Sequence, residues 1–141
     1  MSPEQLLGSA EFDPNDTVIA DFEAGVGTLT RLEEQKVDTV VVVVEATPKS
    51  IEVGMRAVQL AQEKLLQRVV IVANRVRHEG DVETIRSAFA GFPDVEIVPV
   101  PDDPKIREAD RYGVAPIDHA PDAPAVRALV GLAEGLLPKV G

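Results

Sequence analysis

The sequence has no cysteine and no tryptophan, and only one tyrosine, four phenylalanines and two histidines among 141 residues. Without cysteine there is no disulfide framework, no thiol nucleophile and no Cys-based zinc or iron–sulfur site. Positive charge is scarce too: 14 Lys and Arg stand against 24 Asp and Glu, a formal net charge of −10. Nucleic acid and anionic membrane surfaces are held largely through clustered basic charge, so neither is an expected partner. No apolar run approaches the roughly 20 residues that span a bilayer. The opening MSPEQLLGSAEFD lacks a basic n-region and an apolar h-region, so it does not read as a signal peptide. His78 and His119 have no partner at metal-ligand spacing and are expected on the surface. The expectation is an acidic cytoplasmic protein. Its apolar fraction of 45% is ordinary for a globular chain. Residues 1–141 read as a single domain, a size that buries roughly two-thirds of its unfolded surface.

Four short β-branched runs are present: Thr17–Asp21, Thr39–Glu45, Arg68–Asn74 and Val95–Val100. None alternates polar with apolar residues as a half-exposed antiparallel strand does. The five consecutive valines Val40–Val44 point to a strand covered on both faces, as in the middle of a parallel sheet. The runs start 22, 29 and 27 residues apart, close to the repeat of a strand–helix–strand unit.

Helical periodicity fills the gaps. Ile51, Met55, Val58, Ala61 and Leu65 line one helix face, with Thr47 and Pro48 as N-cap and first helical residue. Asp81 is the expected cap of a second helix bearing Val82, Ile85, Ala88 and Phe89, and Pro104 opens a third through Ile106, Ala109 and Tyr112. A last helix from about Pro124 carries Val126, Leu129, Val130, Ala133, Leu136 and Leu137, a broad apolar stripe suited to packing on a sheet. Ser2 and Gln5 have capping-box spacing, which predicts a short helix before the first run. Strand and helix alternate throughout, so the fold class is α/β: three layers, with a mostly parallel sheet of about four strands and flanking helices.

In open parallel sheets ligands bind beyond the carboxyl ends of the strands. Those ends carry Asp21-Phe22-Glu23-Ala24-Gly25, Glu45-Ala46-Thr47, Asn74-Arg75-Val76 and Pro101-Asp102-Asp103. Asp, Asn and Thr at such places also serve as helix caps and turn residues, so each has a purely structural alternative.

The run of VIADFEAGVGTLTRL, VDTVVVVVEATPKSIEVGMRAVQLA and VVIVANRV resembles the C-terminal half of a MinD/ParA-type P-loop ATPase. Within that superfamily it looks like the carbon monoxide dehydrogenase maturation (CooC-type) group. The pattern is a strand ending in D-x-E-A-G, an Arg beyond it, a valine-rich strand with a Thr-Pro turn, and a strand ending in Asn plus a basic residue. A Pro-Asp turn then leads into a helix with E-A-D. Here these are Asp21, Glu23, Ala24, Gly25, Arg31, Glu45 to Ser50, Asn74-Arg75, Pro101-Asp102-Asp103 and Glu108-Ala109-Asp110.

The resemblance implies a nucleotide site for ATP or ADP with Mg. Asn74 would hydrogen-bond the adenine, since an amide both donates and accepts. Arg75 would cover the base in place of the usual lysine, and Pro101, Asp102 and Asp103 would form the turn along the adenine edge. Asp21 matches the Walker B aspartate, which holds Mg through water when nucleotide is bound. No catalytic residue is expected in the chain itself. Phosphate binding of this kind needs G-x-x-x-x-G-K-[ST], and none of the five lysines follows a glycine. The sequence therefore reads as the Walker B to C-terminal half of such a domain, a non-hydrolysing binding or interaction module. The alternative is one half of a split ATPase whose partner supplies Walker A, acting in metalloenzyme maturation. Either predicts another protein chain or a homodimer partner. In the resembled fold the Walker A strand lies between the Walker B strand and the valine strand. Thr17–Asp21 must then pair with Thr39–Glu45 directly, or another chain must fill the gap.

Overall fold

The structure is a computed structural model that describes residues 16–21, 37–63 and 68–137. Three strands, β1 (Thr39–Val44), β2 (Arg68–Val76) and β3 (Glu96–Pro101), form one sheet in the order β1-β2-β3. Both pairings are parallel, with Val42 opposite Ile71 and Ile71 opposite Ile97 at the centre. The α/β class and the parallel sheet are as expected from the sequence. Among the described residues the strand count is three, not four. Thr17–Asp21 has no strand structure, and Ile19 is 91% exposed. A β-branched run is strand-prone only where a neighbouring strand and a covering layer receive it, and here neither does. The predicted helix near Ser2 lies outside the described residues.

Helix α1 (Pro48–Glu63) follows β1 and α2 (Glu79–Ala88) follows β2. Both pack on one face of the sheet, where Val42, Val44, Val58, Ala61, Val69, Ile71, Ala73, Ile85 and Phe89 form the main core. Contact between α1 and β1 is close: a Cβ placed on Gly54 would run into Val44 and lie 3.4 Å from Phe89 Cζ. Glycine fits there because the Val44 side chain occupies the space of a Cβ, not because a turn needs it.

After β3 come α3 (Pro104–Tyr112), the short α4 (Pro116–His119) and α5 (Pro124–Leu136). On the second face Val72, Val100 and Ala125 are buried, with Ile106, Ala128 and Leu132 packed around them. Helix α5 thus docks on the sheet as its apolar stripe predicts, but only through part of that stripe. Leu129, Val130 and Leu137 remain 41%, 36% and 50% exposed.

Helix starts follow the prolines. Thr47 Oγ1 accepts from the Ser50 amide at 3.3 Å at the start of α1. Asp103 caps α3, accepting from the Lys105 amide at 3.0 Å, with Pro104 next in line. At α2 the cap position is His78 rather than Asp81. Asp81 sits inside the first turn and reaches back to accept the Arg77 amide at 2.9 Å. That bond holds the Asp81 carboxyl below its usual range, with the His78 side chain 3.4 Å away adding to the effect. Both histidines approach carboxylates: His119 lies 3.5 Å from Glu108, with its ring tilted against Tyr112. No helix among the described residues is long and apolar enough to cross a membrane.

Candidate functional site

The carboxyl ends of the three strands meet at one place, and the geometry there is set by an irregularity in β2. Ala73 pairs with Pro99 but Val76 pairs with Pro101, so β2 carries one residue more than β3 across this stretch. The result is a bulge at Asn74 and Arg75, with the Arg75 backbone at φ 54° in the left-handed region. Arg75 is the one non-glycine residue at positive φ among the described residues. Such a conformation costs about 1–2 kcal/mol for a residue with a Cβ and persists only where surrounding structure imposes it. Here the Asp102 amide donates to the Val76 carbonyl at 2.9 Å and closes the far side of the bulge. Bulges beside binding sites re-aim side chains, and this one turns Arg75 across the strand ends.

The Arg75 guanidinium lies 3.2 Å from Glu45 at the end of β1 and 3.6 Å from Asp102 after β3. It therefore ties all three strand ends together. Asp102 also accepts from Arg107 at 2.9 Å and stands 3.5 Å from Arg77. Its carboxyl is held below the usual carboxylate range, chiefly by the Arg107 hydrogen bond and then by the nearby positive charges of Arg107, Arg75 and Arg77. Three guanidiniums thus converge on the Glu45 and Asp102 carboxylates in a chain of net charge −10. Asp102 is largely covered, whereas Arg75, Arg77 and Arg107 are each half-exposed or more and present N–H groups to solvent.

The structure thus brings Asn74, Arg75, Pro101 and Asp102 together. Asp103 is adjacent, but both its oxygens are already engaged: Oδ1 by the Lys105 amide and Oδ2 by the Ala125 amide at 3.1 Å. At 7% exposure it is the buried acid among the described residues, joining the start of α3 to the start of α5. Any contact from this residue to a ligand runs through its backbone. Asp21 is exposed, and no group of three potential metal ligands occurs among the described residues. Glu23, Ala24, Gly25 and Arg31 lie outside them.

Sequence reasoning missed Arg77, Arg107 and the pairing role of Glu45. Their signal is local: nine arginines outnumber five lysines, and three of those arginines converge where carboxylates cap strand ends. Arginine in such a place offers planar, multidentate recognition of anions and a flat face for stacking.

No protein-family model matches the sequence. The chain is similar to two proteins of Methanocaldococcus jannaschii. One, described as an uncharacterized ATP-binding protein, is 26% identical over 137 residues, 96% of this chain and 52% of the relative. The other, with the same description, is 28% identical over 110 residues, 77% of this chain and 42% of the relative. The chain therefore spans about half the length of these relatives. Among solved structures it superposes on the MinD cell division protein of Aquifex aeolicus with a TM-score of 0.62 and 22% identity. That match covers 82% of this chain and 50% of MinD. The strand ends that carry the bulge belong to a MinD-like α/β fold.

Proposed function

We propose that the chain is a nucleotide-binding-type domain that receives the base end of ATP or ADP at the β2 bulge and does not hydrolyse it by itself. The bulge is the observation that carries this reading, because a strained Arg75 spanning three strand ends has no need in the packing of the core. Asn74, half-buried beside it, offers an amide donor and acceptor to a base. Arg75 offers a guanidinium face for stacking, and the backbone of Pro101 to Asp103 forms the adjoining wall.

The residues fit the base end of a nucleotide and not its triphosphate–Mg end. The sequence contains no glycine-rich loop ending in Lys-Ser or Lys-Thr. Asp21 is not joined by other acids into a metal site among the described residues. Mg, where it takes part, would neutralise phosphate charge, with Asp21 its candidate ligand through water.

Calorimetric titration with ATP tests the reading, using Asn74→Ala and Arg75→Gly. Glycine adopts φ 54° without strain, so Arg75→Gly is expected to unfold no more easily than the parent and to gain up to about 1 kcal/mol. Both variants should lose ATP binding. A parent chain that turns ATP over above background overturns the non-hydrolysing assignment. Unaltered binding in both variants overturns the site.

A second reading is one half of a split ATPase whose partner supplies Walker A, in line with strand-end motifs that stand without G-x-x-x-x-G-K-[ST] in these 141 residues. Its assignment to metalloenzyme maturation rests on the D-x-E-A-G resemblance around Asp21–Gly25.

A further inference from the structure

Asp102 follows β3 beside the bulge, and three arginines engage its carboxylate. Oδ1 accepts from Arg107 Nη1 at 2.9 Å and lies 3.6 Å from Arg75 Nε, and Oδ2 lies 3.5 Å from Arg77 Nε. Each oxygen thus has a guanidinium against it, and the side chain is only 19% exposed. These contacts hold the group ionised, below the usual carboxylate range. The Arg107 contact joins two well-fixed backbones. Arg107 reaches back from the first turn of α3, whose start is secured by the Asp103 cap. The Asp102 amide, for its part, is bound to the Val76 carbonyl. Packing of the core does not call for this cluster, because all three arginines are half-exposed or more.

An ionised carboxylate with both oxygens available discriminates between purines. Guanine presents N1–H and an N2 amino group side by side, and a carboxylate accepts from both at once. Adenine presents at the same edge an unprotonated N1, an acceptor that a carboxylate repels. Asn74 makes no such distinction. Its amide pairs with N7 and the amino group of adenine, and its own amino group serves N7 or O6 of guanine. The choice between bases therefore falls on the acid and on whatever occupies it. With guanidiniums against both oxygens, Asp102 has little left for a guanine edge. Arginine can itself donate to guanine N7 and O6, but that contact uses the N–H edge of the guanidinium. Arg107 gives N–H to Asp102 instead.

We propose that Arg107, assisted by Arg77, determines base specificity at the strand-end site: by occupying Asp102 it withholds the acceptor that guanine needs and leaves a site selective for adenine. The inference rests on the nucleotide reading above. To that reading it adds two residues that act on the base through Asp102 rather than by touching it. Arg107 is the stronger of the two, at hydrogen-bond distance from Oδ1, whereas Arg77 stands off Oδ2 by 3.5 Å.

The test is calorimetric titration of the full chain with ATP and with GTP, read as the ratio of the two affinities. Both nucleotides carry the same triphosphate, so phosphate contacts cancel in the ratio and the base alone is compared. The parent is expected to prefer ATP. Arg107→Ala should move the ratio toward GTP by about tenfold, within the range of one bidentate base contact. Adding Arg77→Ala should move it further. Arg107→Lys, which keeps a charged donor, should restore part of the ATP preference. Arg107 is 55% exposed, so the melting of Arg107→Ala should stay close to that of the parent. Asp102→Ala placed on Arg107→Ala should abolish the gain, because the unmasked acceptor is then gone. A ratio that Arg107→Ala and the double variant leave unchanged overturns the proposal. So does a ratio that moves away from GTP, which would make the arginine itself the reader of guanine. A parent that binds ATP and GTP equally overturns the specificity assignment and leaves the nucleotide site standing. Binding of neither nucleotide by parent or variants removes the nucleotide reading and this inference with it.

Discussion

β3 and β1 close the same sheet, and among the described residues each has β2 as its only strand partner, yet β3 is anchored by side chains at both of its ends and β1 chiefly by the α1 layer on one face. Prolines blunt the outer edge of β3, α5 covers it through Val100 and Ala125, and Asp103 at its end binds α3 to α5. The start of β3 is held to β2 by a two-pronged pair between Arg68 and Glu96, at 2.6 and 3.0 Å. β1 has the α1 layer on one face, exposed valines on the other, and an outer edge that pairs with no strand among the described residues. Substitutions that loosen β3 should therefore cost folding stability. Substitutions on the exposed valine face of β1 should cost almost none.

The largest expected effect is at Asp103. Asp103→Ala removes the N-cap of α3, typically about 1 kcal/mol, and strands the Ala125 amide, for about 1–3 kcal/mol more. A loss of about 2–4 kcal/mol in urea unfolding is expected. A loss below about 1 kcal/mol would mean that the two amides find water and that β3 is no better anchored than β1.

The two faces of β1 provide the next contrast. Val44 is 1% exposed and packs beneath Gly54 of α1. Val44→Ala removes two buried methyl groups and leaves a cavity, for about 2–3 kcal/mol. Val43→Ala, one residue away on the open face, should cost less than about 0.5 kcal/mol. Equal losses at the two positions would show that the outer face is covered in solution by this chain itself.

Some of this was legible in the sequence and some was not, for physical reasons. Pro48, Pro104 and Pro124 mark helix starts because proline fixes φ and needs no N–H there. The five valines announce a parallel strand, but a run of valines reports what a strand can bury and not what is there to bury it, so the bare face of β1 was invisible. Thr17–Asp21 misled for the same reason. Asp81 was read as a cap from residue type alone, although a carboxylate inside the first turn serves nearly as well by reaching back to Arg77. The bulge had no signature: left-handed backbone is usually announced by glycine, and here it falls on arginine. The strand-end positions Asn74, Arg75, Pro101 and Asp102 were visible from topology alone, whereas Arg77 and Arg107 enter only through folded distances.

The smallest effect expected is electrostatic, and it too falls on the β3 side. Arg68 holds the Glu96 carboxyl below its usual value of 4.5, first by the hydrogen bond and then by its charge. A carboxyl depressed in the folded state favours folding while it is ionised, at and above neutral pH. That contribution fades as pH falls through the ordinary carboxylate range and is gone once the folded group is protonated. The two side chains are 37% and 51% exposed, so the pair is weak and screened by salt. Acidification also relieves the repulsion of a chain at −10, which works in the opposite direction, so the absolute melting curve is a poor reporter. The difference between the parent and Glu96→Gln isolates the pair. The parent should melt slightly higher at neutral pH and low salt, and the two should converge as pH falls below the carboxylate range. A difference that stays constant across pH would mean that Glu96 holds β3 by packing and hydrogen bonding alone. The tighter anchoring of β3 would then owe nothing to charge and would rest on Asp103, the prolines and α5.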